Sequence, residues 1–202
     1  MHFTELLSME HRVIEQVLNC LAAIVERGES NRQFDWESAE LVIDFLRNYA
    51  DECHHAKEED KLFPVMEQRG FSPDVGPTAV MRHDHEEGRG HIAAMTAAVE
   101  AGLRGDNSLA LQFGRHSQTY IDLLRNHIQK EDHCLFPLAD HVLTELDQQR
   151  LLCDFEDIDE TPTRAGRHDH YLQLAKTLAD RFDKGHSGES SLAAQSCSRR
   201  VK

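Results

Sequence analysis

The sequence predicts an all-α protein, an up-down-up-down four-helix bundle with short additional C-terminal helices. Valine and isoleucine do not gather into alternating runs, and most segments instead repeat apolar residues at intervals of three and four, the period of an amphipathic helix. Glycine and proline separate four long segments of this kind by short connections. Long amphipathic helices joined by short loops are typical of antiparallel bundles.

The first two predicted helices form the first half of the bundle. The first begins at about Phe3 and ends at Gly28. The second begins near Asp35, a suitable N-cap, and continues to about Glu67. Proline lacks the backbone N–H that a residue in a helix interior donates. The second helix therefore either continues through Pro64 or kinks there.

The third and fourth helices follow a loop rich in glycine and proline at residues 70–77. The third covers roughly residues 78–103. The fourth covers roughly residues 107–136, and Pro137 then bends or breaks it.

The chain divides into three predicted parts. Residues 1–140 form the bundle. Residues 141–183 contain two short helices, the first capped by Thr144, and we expect this extension to pack on the outside of the bundle. Residues 184–202 are rich in serine, glycine, alanine and arginine, and this composition predicts a disordered tail.

The charge balance excludes several classes of partner. The 202 residues include 36 acidic and 22 basic side chains, for a formal net charge of −14. Nucleic acids and anionic lipids bind basic patches, so we expect no nucleic acid and no membrane as a partner. No apolar run approaches the roughly 20 residues of a membrane helix. The amino-terminal stretch also carries acids where a signal peptide would have a basic start, and we therefore expect a cytoplasmic protein.

The numbers of cysteines and histidines argue against a cysteine-based site and draw attention to histidine. The five cysteines are an odd number without a CxxC pair, which argues against a disulfide framework and against a structural zinc cluster. The fourteen histidines are the compositional anomaly. Histidine is a common metal ligand, so their arrangement along the chain decides the interpretation.

One internal repeat organises the histidines. HHAKEEDKLFP begins at His54, and HIQKEDHCLFP begins 73 residues later at His127. Both contain a histidine, a glutamate four residues on, and the same Leu-Phe-Pro. The shared pairs are His54 with Glu58 and His127 with Glu131. His55 falls outside the repeat, and we expect it to be a solvated neighbour, together with Glu59 and Asp60.

The spacing of the two pairs favours a metal site. Residues four apart lie on one face of a helix, and both pairs continue apolar stripes that face the core. An unpaired buried carboxylate costs several kcal/mol or becomes protonated, and two facing carboxylates also repel each other. A cation between them removes both penalties.

The other two helices each supply one candidate ligand. His11 lies in the middle of the inner stripe of the first helix. His85 lies on the inner stripe of the third, one turn from Gly88, whose missing side chain leaves room; His83 is its rival, and His91 falls off the stripe. Imidazole and carboxylate without thiolate suit iron, manganese or zinc. The predicted metal ligands are His11, His54, Glu58, His85, His127 and Glu131.

These motifs resemble the hemerythrin-like (HHE cation-binding) family. The resemblance lies in EHRVIE around His11, the two HxxxE-xxx-LFP motifs at His54 and His127, and MRHDHEEGR around His85, which together span roughly residues 1–140. It implies a four-helix bundle that holds a non-haem di-iron centre. Two carboxylate-bridged Fe ions are implied, with manganese or zinc less favoured; the two glutamates would bridge them and the four histidines would be terminal ligands.

Departures from the oxygen-carrying members of the family are informative. Those proteins have a second histidine four residues along the third helix, where this chain has Arg89, and a His-xxxx-Asp on the last helix. Here Glu131 lies four residues after His127, and Asp132 follows it. The set is similar to the four-His, two-Glu type of bacterial proteins linked to nitric oxide and to iron–sulfur cluster repair. Fewer imidazoles imply an open position on iron, which favours reactivity over reversible oxygen carriage.

The resemblance implies a protein that binds or reacts with a small oxidant, namely O2, NO or peroxide (H2O2), in oxidative or nitrosative stress or in iron handling. Peroxide decomposition and donation of iron to damaged clusters are the enzymatic readings. The alternative is an iron, oxygen or redox sensor that acts through a partner protein. A ferritin-like site is disfavoured, because its Glu-x-x-His motif occurs once, at Glu52 and His55, without a second copy.

Other polar residues near the motifs have open or structural interpretations. Glu15, one turn after His11, either orients that imidazole or is an exposed acid. We expect Cys53 and Cys134 to be small buried apolar residues. His168 and His170 are interpreted as a solvated helix start, because no second ligand cluster accompanies them.

Overall fold

The structure, a computed structural model, describes residues 2–160 and 166–183, and all regular secondary structure in these two ranges is helical. The predicted disordered tail, residues 184–202, lies outside the described residues. No helix in the described ranges is long and apolar enough to cross a membrane.

The first two bundle helices contain five helical segments. The first bundle helix is α1, Phe3–Asn31. The second begins with α2, Trp36–Phe45, continues through two π-helical segments, and ends with α3. The later segments are π-helical Leu46–His55, π-helical Glu58–Leu62, and α3 at Phe63–Gln68, with residues 56 and 57 α-helical between the two π segments.

The third and fourth bundle helices complete the ring. The third is α4, Pro77–Leu103. The fourth consists of α5, Ala110–Lys130, a π-helical segment, Glu131–Leu135, and α6, Phe136–Val142. Each bundle helix packs beside the next, and the fourth packs against the first, so the connections at residues 32–35, 69–76 and 104–109 join antiparallel neighbours. The predicted all-α bundle is confirmed.

The predicted N-cap of the second helix is confirmed, but two predicted helix ends are wrong: the first helix continues past Gly28, and the fourth continues past Phe136 to Val142. Asp35 caps α2, since its carboxylate accepts a hydrogen bond from the Ser38 backbone N–H at 3.0 Å. The first helix continues past Gly28 and ends before Arg32, whose φ of 55° is left-handed. A Cβ at Gly28 would lie 2.3 Å from the ring of Phe34, so this glycine permits a close ring contact and does not terminate the helix.

The two prolines of the Leu-Phe-Pro motifs lie inside continuous helical runs. Pro64 and Pro137 occupy the first turn of α3 and α6, directly after a π-helical segment in each case. A proline is tolerated in a first turn, where its missing N–H costs little. The second and fourth bundle helices therefore pass through their prolines, and the two motifs have the same backbone conformation.

The apolar core has two parts, separated along each helix by the buried histidines. The larger part includes Leu18, Phe45, Met95 and Phe113; the smaller part includes residues of both Leu-Phe-Pro motifs together with Phe3, Leu7 and Met81. On the first helix, for example, His11 lies between Leu7 of the smaller part and Ile14 of the larger part. The histidines therefore occupy one polar layer inside the bundle.

Two further helices pack on the bundle. Helix α7, Glu145–Glu160, adds Leu151 and Phe155 to the smaller core, and it contacts the first and second bundle helices. Helix α8, Arg167–Asp183, adds Tyr171 and Leu178 to the larger core and lies against α1 and α2. Both helices therefore cover the face that the first two bundle helices form.

Candidate metal centre

The six predicted ligands meet in one layer at the middle of the bundle. All are buried, with exposed fractions between 0 and 2%, and they come from all four bundle helices. His83, the rival of His85 on α4, is exposed. The structure therefore brings together His11, His54, Glu58, His85, His127 and Glu131.

A seventh residue, His55, belongs to the same layer, and the expectation that it is a solvated neighbour is wrong. Its side chain is 5% exposed, and its ring stacks on that of His85 with centroids 3.9 Å apart and an interplanar angle of 15°. Both His54 and His55 end the π-helical segment Leu46–His55. The wider i→i+5 turn reduces the rotation between successive residues, so both rings reach the interior.

The donor atoms divide into two groups that share Glu58. In each group, one ligand atom from every residue lies within 4.8 Å of all the others. The first group is His55, Glu58, His85 and His127, and the second is His11, His54, Glu58 and Glu131.

The two carboxylates lie between these groups. Glu58 places Oε1 3.7 Å from His54 Nε2 and Oε2 3.5 Å from His85 Nε2. Glu131 places Oε2 3.2 Å from His11 Nε2 and also 3.2 Å from His127 Nε2. Each glutamate therefore faces an imidazole of both groups, as a bridging carboxylate does.

Several buried polar atoms of the centre have no hydrogen-bond partner among the described residues. They are both carboxylate oxygens of Glu58 and of Glu131, and Nε2 of His11 and His55. Buried polar atoms are nearly always paired, and an orphaned carboxylate costs several kcal/mol. A cation in contact with these atoms would satisfy all of them, so the residues present fit a metal centre.

The charges of the two glutamates differ because their neighbours differ. Burial raises the pKa of Glu58, and the nearby Glu131 carboxylate raises it further. Burial also raises the pKa of Glu131. The interactions of this carboxylate with His127 and His11 lower the pKa by more, so the net shift is downward. Without a cation, the centre thus holds one carboxylate that imidazoles stabilise and one carboxyl that favours its protonated form.

A carboxylate holds the Nδ1 atom of each of the five imidazoles. A hydrogen bond from Nδ1–H to a carboxylate fixes the tautomer of a histidine and leaves the Nε2 lone pair free to bind a metal. The pairs are His11 with Asp132 at 2.9 Å, His54 with Glu10 at 2.9 Å, His55 with Asp51 at 3.3 Å, His85 with Glu59 at 2.6 Å, and His127 with Asp84 at 3.2 Å.

Cations on the outer side hold these acids in turn. Arg89 donates from Nε to Asp51 at 2.9 Å and from Nη2 to Glu59 at 2.8 Å. It occupies the position at which the oxygen-carrying proteins have a histidine, and here it supports the acids that orient His55 and His85. Lys57 bonds Glu10, and Lys130 bonds Asp84.

Four of the five imidazole–acid pairs connect different helices, and the sequence did not identify them. Glu10 precedes His11 in the chain but serves His54, and Asp84 precedes His85 but serves His127. The available signal is the acid beside each ligand, although only the packing of the bundle shows which imidazole it holds. Asp132, and not Glu15, holds Nδ1 of His11.

Burial sets the protonation of most imidazoles. It lowers the pKa of His54 to about 4 and that of His85 to about 2, so both are neutral near pH 7 and suited to bind a metal. Burial acts in the same direction on His127, but the charge of Glu131 and the hydrogen bond to Asp84 outweigh it and raise the pKa of His127 to about 9.

The phenylalanines of the repeat pack against imidazoles of other helices. Phe136 stacks on His11 with centroids 5.4 Å apart and an angle of 9°, and Phe63 stacks on His85 at 6.0 Å and 17°. Each Leu-Phe-Pro motif therefore fixes the ring of a ligand from a neighbouring helix and also packs in the core.

The remaining expectations have mixed outcomes. Cys53 is buried, as expected, but Cys134 is exposed, because it lies on the outer face of the π-helical segment Glu131–Leu135. His170 is exposed, whereas His168 is half-buried with its ring 5.6 Å from that of Tyr49. The expectation that no other ligand cluster accompanies His168 is wrong, because potential donor atoms of His168, Glu10 and Asp159 lie within 4.8 Å of one another.

Comparison with known proteins identifies the family. The family profile of the hemerythrin HHE cation binding domain matches residues 2–139. Three uncharacterized mycobacterial proteins, one from Mycobacterium bovis and two from strains of Mycobacterium tuberculosis, are each 26% identical to this chain over 151 residues, or 75% of the chain. The chain spans 58% of the length of these relatives. No solved structure matches significantly.

The matched profile covers the four bundle helices, except for residues 140–142 at the end of the fourth, and every residue of the buried histidine and glutamate layer. Together the profile and this layer indicate metal binding. The chain therefore belongs to the hemerythrin HHE cation-binding domain family.

Proposed function

We propose that this protein is a non-haem di-iron protein that binds or reacts with a small oxidant, namely O2, NO or H2O2. One observation carries the proposal: a carboxylate holds Nδ1 of each of five imidazoles, and four of these rings place Nε2 within 3.7 Å of two buried glutamates that have no hydrogen-bond partner among the described residues. This arrangement costs free energy in a protein without a cation and is the usual environment of histidine metal ligands.

The donor set supports iron as the metal. Imidazole and carboxylate suit iron, manganese and zinc, while the absence of a thiolate donor from both groups disfavours copper(I) and iron–sulfur clusters. Two donor groups that share a glutamate support two ions. Manganese and zinc remain less favoured, since the family resemblance implies iron.

The two groups differ in a way that supports reactivity. One contains three imidazoles, from His55, His85 and His127, and the other contains two, from His11 and His54. With both glutamates shared between the groups, an ion in the first group would have five protein donors and an ion in the second group four, which leaves a position for a small molecule. Bound iron would supply the redox chemistry. The protein residues hold the donors, keep His54 neutral, and exclude bulk water by burial.

A sensor function is the second candidate, and the packing of α7 favours it. This helix from the C-terminal extension contacts Lys57, the residue directly before Glu58. An ion-dependent change in the second bundle helix would therefore reach a surface helix, which a partner protein could recognise.

Metal analysis with oxidant titration tests the proposal. The protein is purified without oxygen, loaded with ferrous iron, desalted and analysed for metals; we expect about two irons per chain, one for each donor group. Titration of this reduced protein with O2, NO and H2O2 should change the near-ultraviolet spectrum for at least one of the three. A protein that retains no iron, or that holds a single zinc, would contradict the di-iron proposal. A loaded protein inert to all three would favour the sensor.

A further inference from the structure

Lys57 is the most deeply buried cation near the centre. Its side chain has no exposed area, and it lies on the second bundle helix between the ligand candidates His54 and Glu58. Its Nζ atom donates to Glu10 Oε1 at 2.5 Å and to Asp159 Oδ2 at 2.8 Å. A buried ammonium group is tolerated only with such partners, and removal of one partner from a buried ion pair is strongly destabilising.

The two partners of Lys57 connect it to different parts of the protein, the histidine layer and helix α7. Glu10 uses its other oxygen, Oε2, to accept a hydrogen bond from Nδ1 of His54 at 2.9 Å. Asp159 belongs to α7 and also accepts a hydrogen bond from the Cys53 thiol at 3.0 Å. Four side chains thus form a continuous connection from the C-terminal extension to a metal-binding imidazole.

This connection is specific to His54. The acids that hold the other four imidazoles are supported by bundle residues: Ser8 and Arg12 for Asp132, Arg89 for Asp51 and Glu59, and Lys130 for Asp84. His54 also belongs to the donor group with two imidazoles, where an exogenous molecule has room to bind.

We propose that Lys57 and Asp159 are positioning residues of the metal centre, so that docking of α7 and occupancy of the site at His54 stabilise each other. Lys57 fixes the carboxylate of Glu10 that orients His54, and Asp159 supplies the second negative charge that a buried lysine requires. The inference rests on the metal binding proposed above. Coupling between two sites is reciprocal, so each effect predicts the other.

The first test measures hydrogen exchange of the α7 backbone amides with and without ferrous iron, under anaerobic conditions. In the wild-type protein, iron should slow exchange in residues 145–160. In Asp159→Asn, exchange in the metal-free protein should be faster and the effect of iron should be lost. Asp157→Asn is the matched control, since it removes the same charge from an exposed position on the same helix and should behave like the wild type.

The second test measures the rate at which the loaded protein loses iron to a chelator. Changes in residues that orient metal ligands cost about 10- to 100-fold in affinity. Asp159→Asn and Lys57→Met should therefore release one of the two irons about tenfold faster or more, and Asp157→Asn should not. A residue with only a structural role in α7 would change the exchange of that helix without changing iron release. Asp159→Asn keeps the experiment interpretable if Lys57→Met does not fold.

The outcomes separate this inference from the proposed function. If the wild-type protein retains iron but α7 exchange is the same with and without it, or if Asp159→Asn releases iron at the wild-type rate, the coupling is wrong and the metal proposal stands. If the wild-type protein retains no iron, the proposed function and the coupling both fail, while faster α7 exchange in metal-free Asp159→Asn would still assign a docking role to Asp159.

Discussion

Four of the five histidines of the centre lie between two acidic side chains, one near each ring nitrogen. A peripheral carboxylate holds Nδ1, and a central glutamate lies near Nε2 for four of the five rings. The peripheral acids have cations or hydroxyl donors on their outer side, whereas the two central glutamates have no hydrogen-bond partner among the described residues. The carboxyl groups without hydrogen-bond partners therefore lie at the middle of the layer, where a cation would pair with their oxygens.

Glu58→Gln should lower metal binding and leave the metal-free protein at least as stable as the wild type. The substitution keeps the shape of the side chain but removes a buried carboxyl group that burial and Glu131 both disfavour in its charged form. The metal-free protein should gain up to about 1 kcal/mol in its free energy of unfolding, because on folding the glutamate must either take up a proton or bury its charge, and a neutral amide does neither. Urea denaturation in the presence of a chelator measures this change.

Asp60→Asn is the control for Glu58→Gln, since Asp60 is exposed two residues away on the same helix. It should change neither the iron content nor the free energy of unfolding measurably. If Glu58→Gln retained two irons per chain, the assignment of Glu58 as a shared ligand would be wrong.

His55→Gln should remove one imidazole from the group with three. We expect this variant to bind one of its two irons about tenfold more weakly or worse, because direct ligands matter at least as much as the groups that orient them. The measurement is iron content after dialysis against a series of buffered free-iron concentrations. His83→Gln, on the exposed face of α4, is the matched control, and equal retention by both variants would show that His55 is not a ligand.

The sequence identified six residues of the layer because the repeat and the inner stripes mark them. The sequence did not predict His55 as part of the layer, because the equivalent position in the second copy of the repeat is Ile128. A regular α-helix would also place His55 off the inner face. The acids that hold the Nδ1 atoms were not predicted, for a different reason. Glu10 and Asp84 serve imidazoles 44 and 43 residues away, and no spacing within one helix encodes that pairing.

At the scale of elements, three π-helical segments occur at the level of the centre, in the second and fourth bundle helices. Two of them, Glu58–Leu62 and Glu131–Leu135, start at the two central glutamates. A π segment inserts extra chain into a helix without breaking it, and such segments are often found at functional sites. Apolar periodicity predicts that a helix exists but not that its pitch changes locally, so the four bundle helices were predictable, whereas these π-helical segments were not.

Glycines in α4 allow a test of how tightly this helix packs. A Cβ at Gly102 would lie 2.3 Å from the ring of Trp36, whereas a Cβ at Gly90 would meet nothing within 4 Å. Gly102→Ala should therefore destabilise the protein by about 1–3 kcal/mol through overpacking. Gly90→Ala should stabilise it by about 0.5–1 kcal/mol, because alanine has the higher helix propensity.

Thermal or urea unfolding of both glycine variants in the metal-free state gives the comparison directly. The two substitutions have the same chemistry on the same helix, so a difference in sign isolates the contact with Trp36. If Gly102→Ala were as stable as Gly90→Ala, the ring of Trp36 would have to move away at no cost, and α4 would pack less tightly on α2 than the structure indicates.

At the scale of the whole molecule, some of the acidic residues that dominate the composition lie inside the bundle. Seven of the 36 acids belong to the centre, two at its middle and five around the imidazoles. The molecule thus keeps a layer of carboxyl groups between its two apolar cores. The protons that this layer binds in the absence of metal must leave when a cation enters, so metal binding and pH are coupled.

Iron binding should therefore release protons, and the number released should fall as the pH rises through about 9. Without metal, the charge of Glu131 and the hydrogen bond to Asp84 raise the pKa of His127 from its ordinary value of 6.5 to about 9. His127 is therefore protonated at pH 7, and its charge stabilises the folded state most fully below about pH 6.5. A bound cation requires the neutral imidazole, and the proton leaves. Above pH 9 the proton is already absent, so this contribution disappears.

An anaerobic titration with ferrous iron measures the release. The pH is held constant at 7, 8 or 9.5, and the amount of base needed to hold it gives the number of protons released. His127→Gln should release fewer protons at pH 7 than the wild type for each iron bound, and His83→Gln should match the wild type. A release that did not change between pH 7 and 9.5 would mean that His127 binds no proton in the metal-free centre.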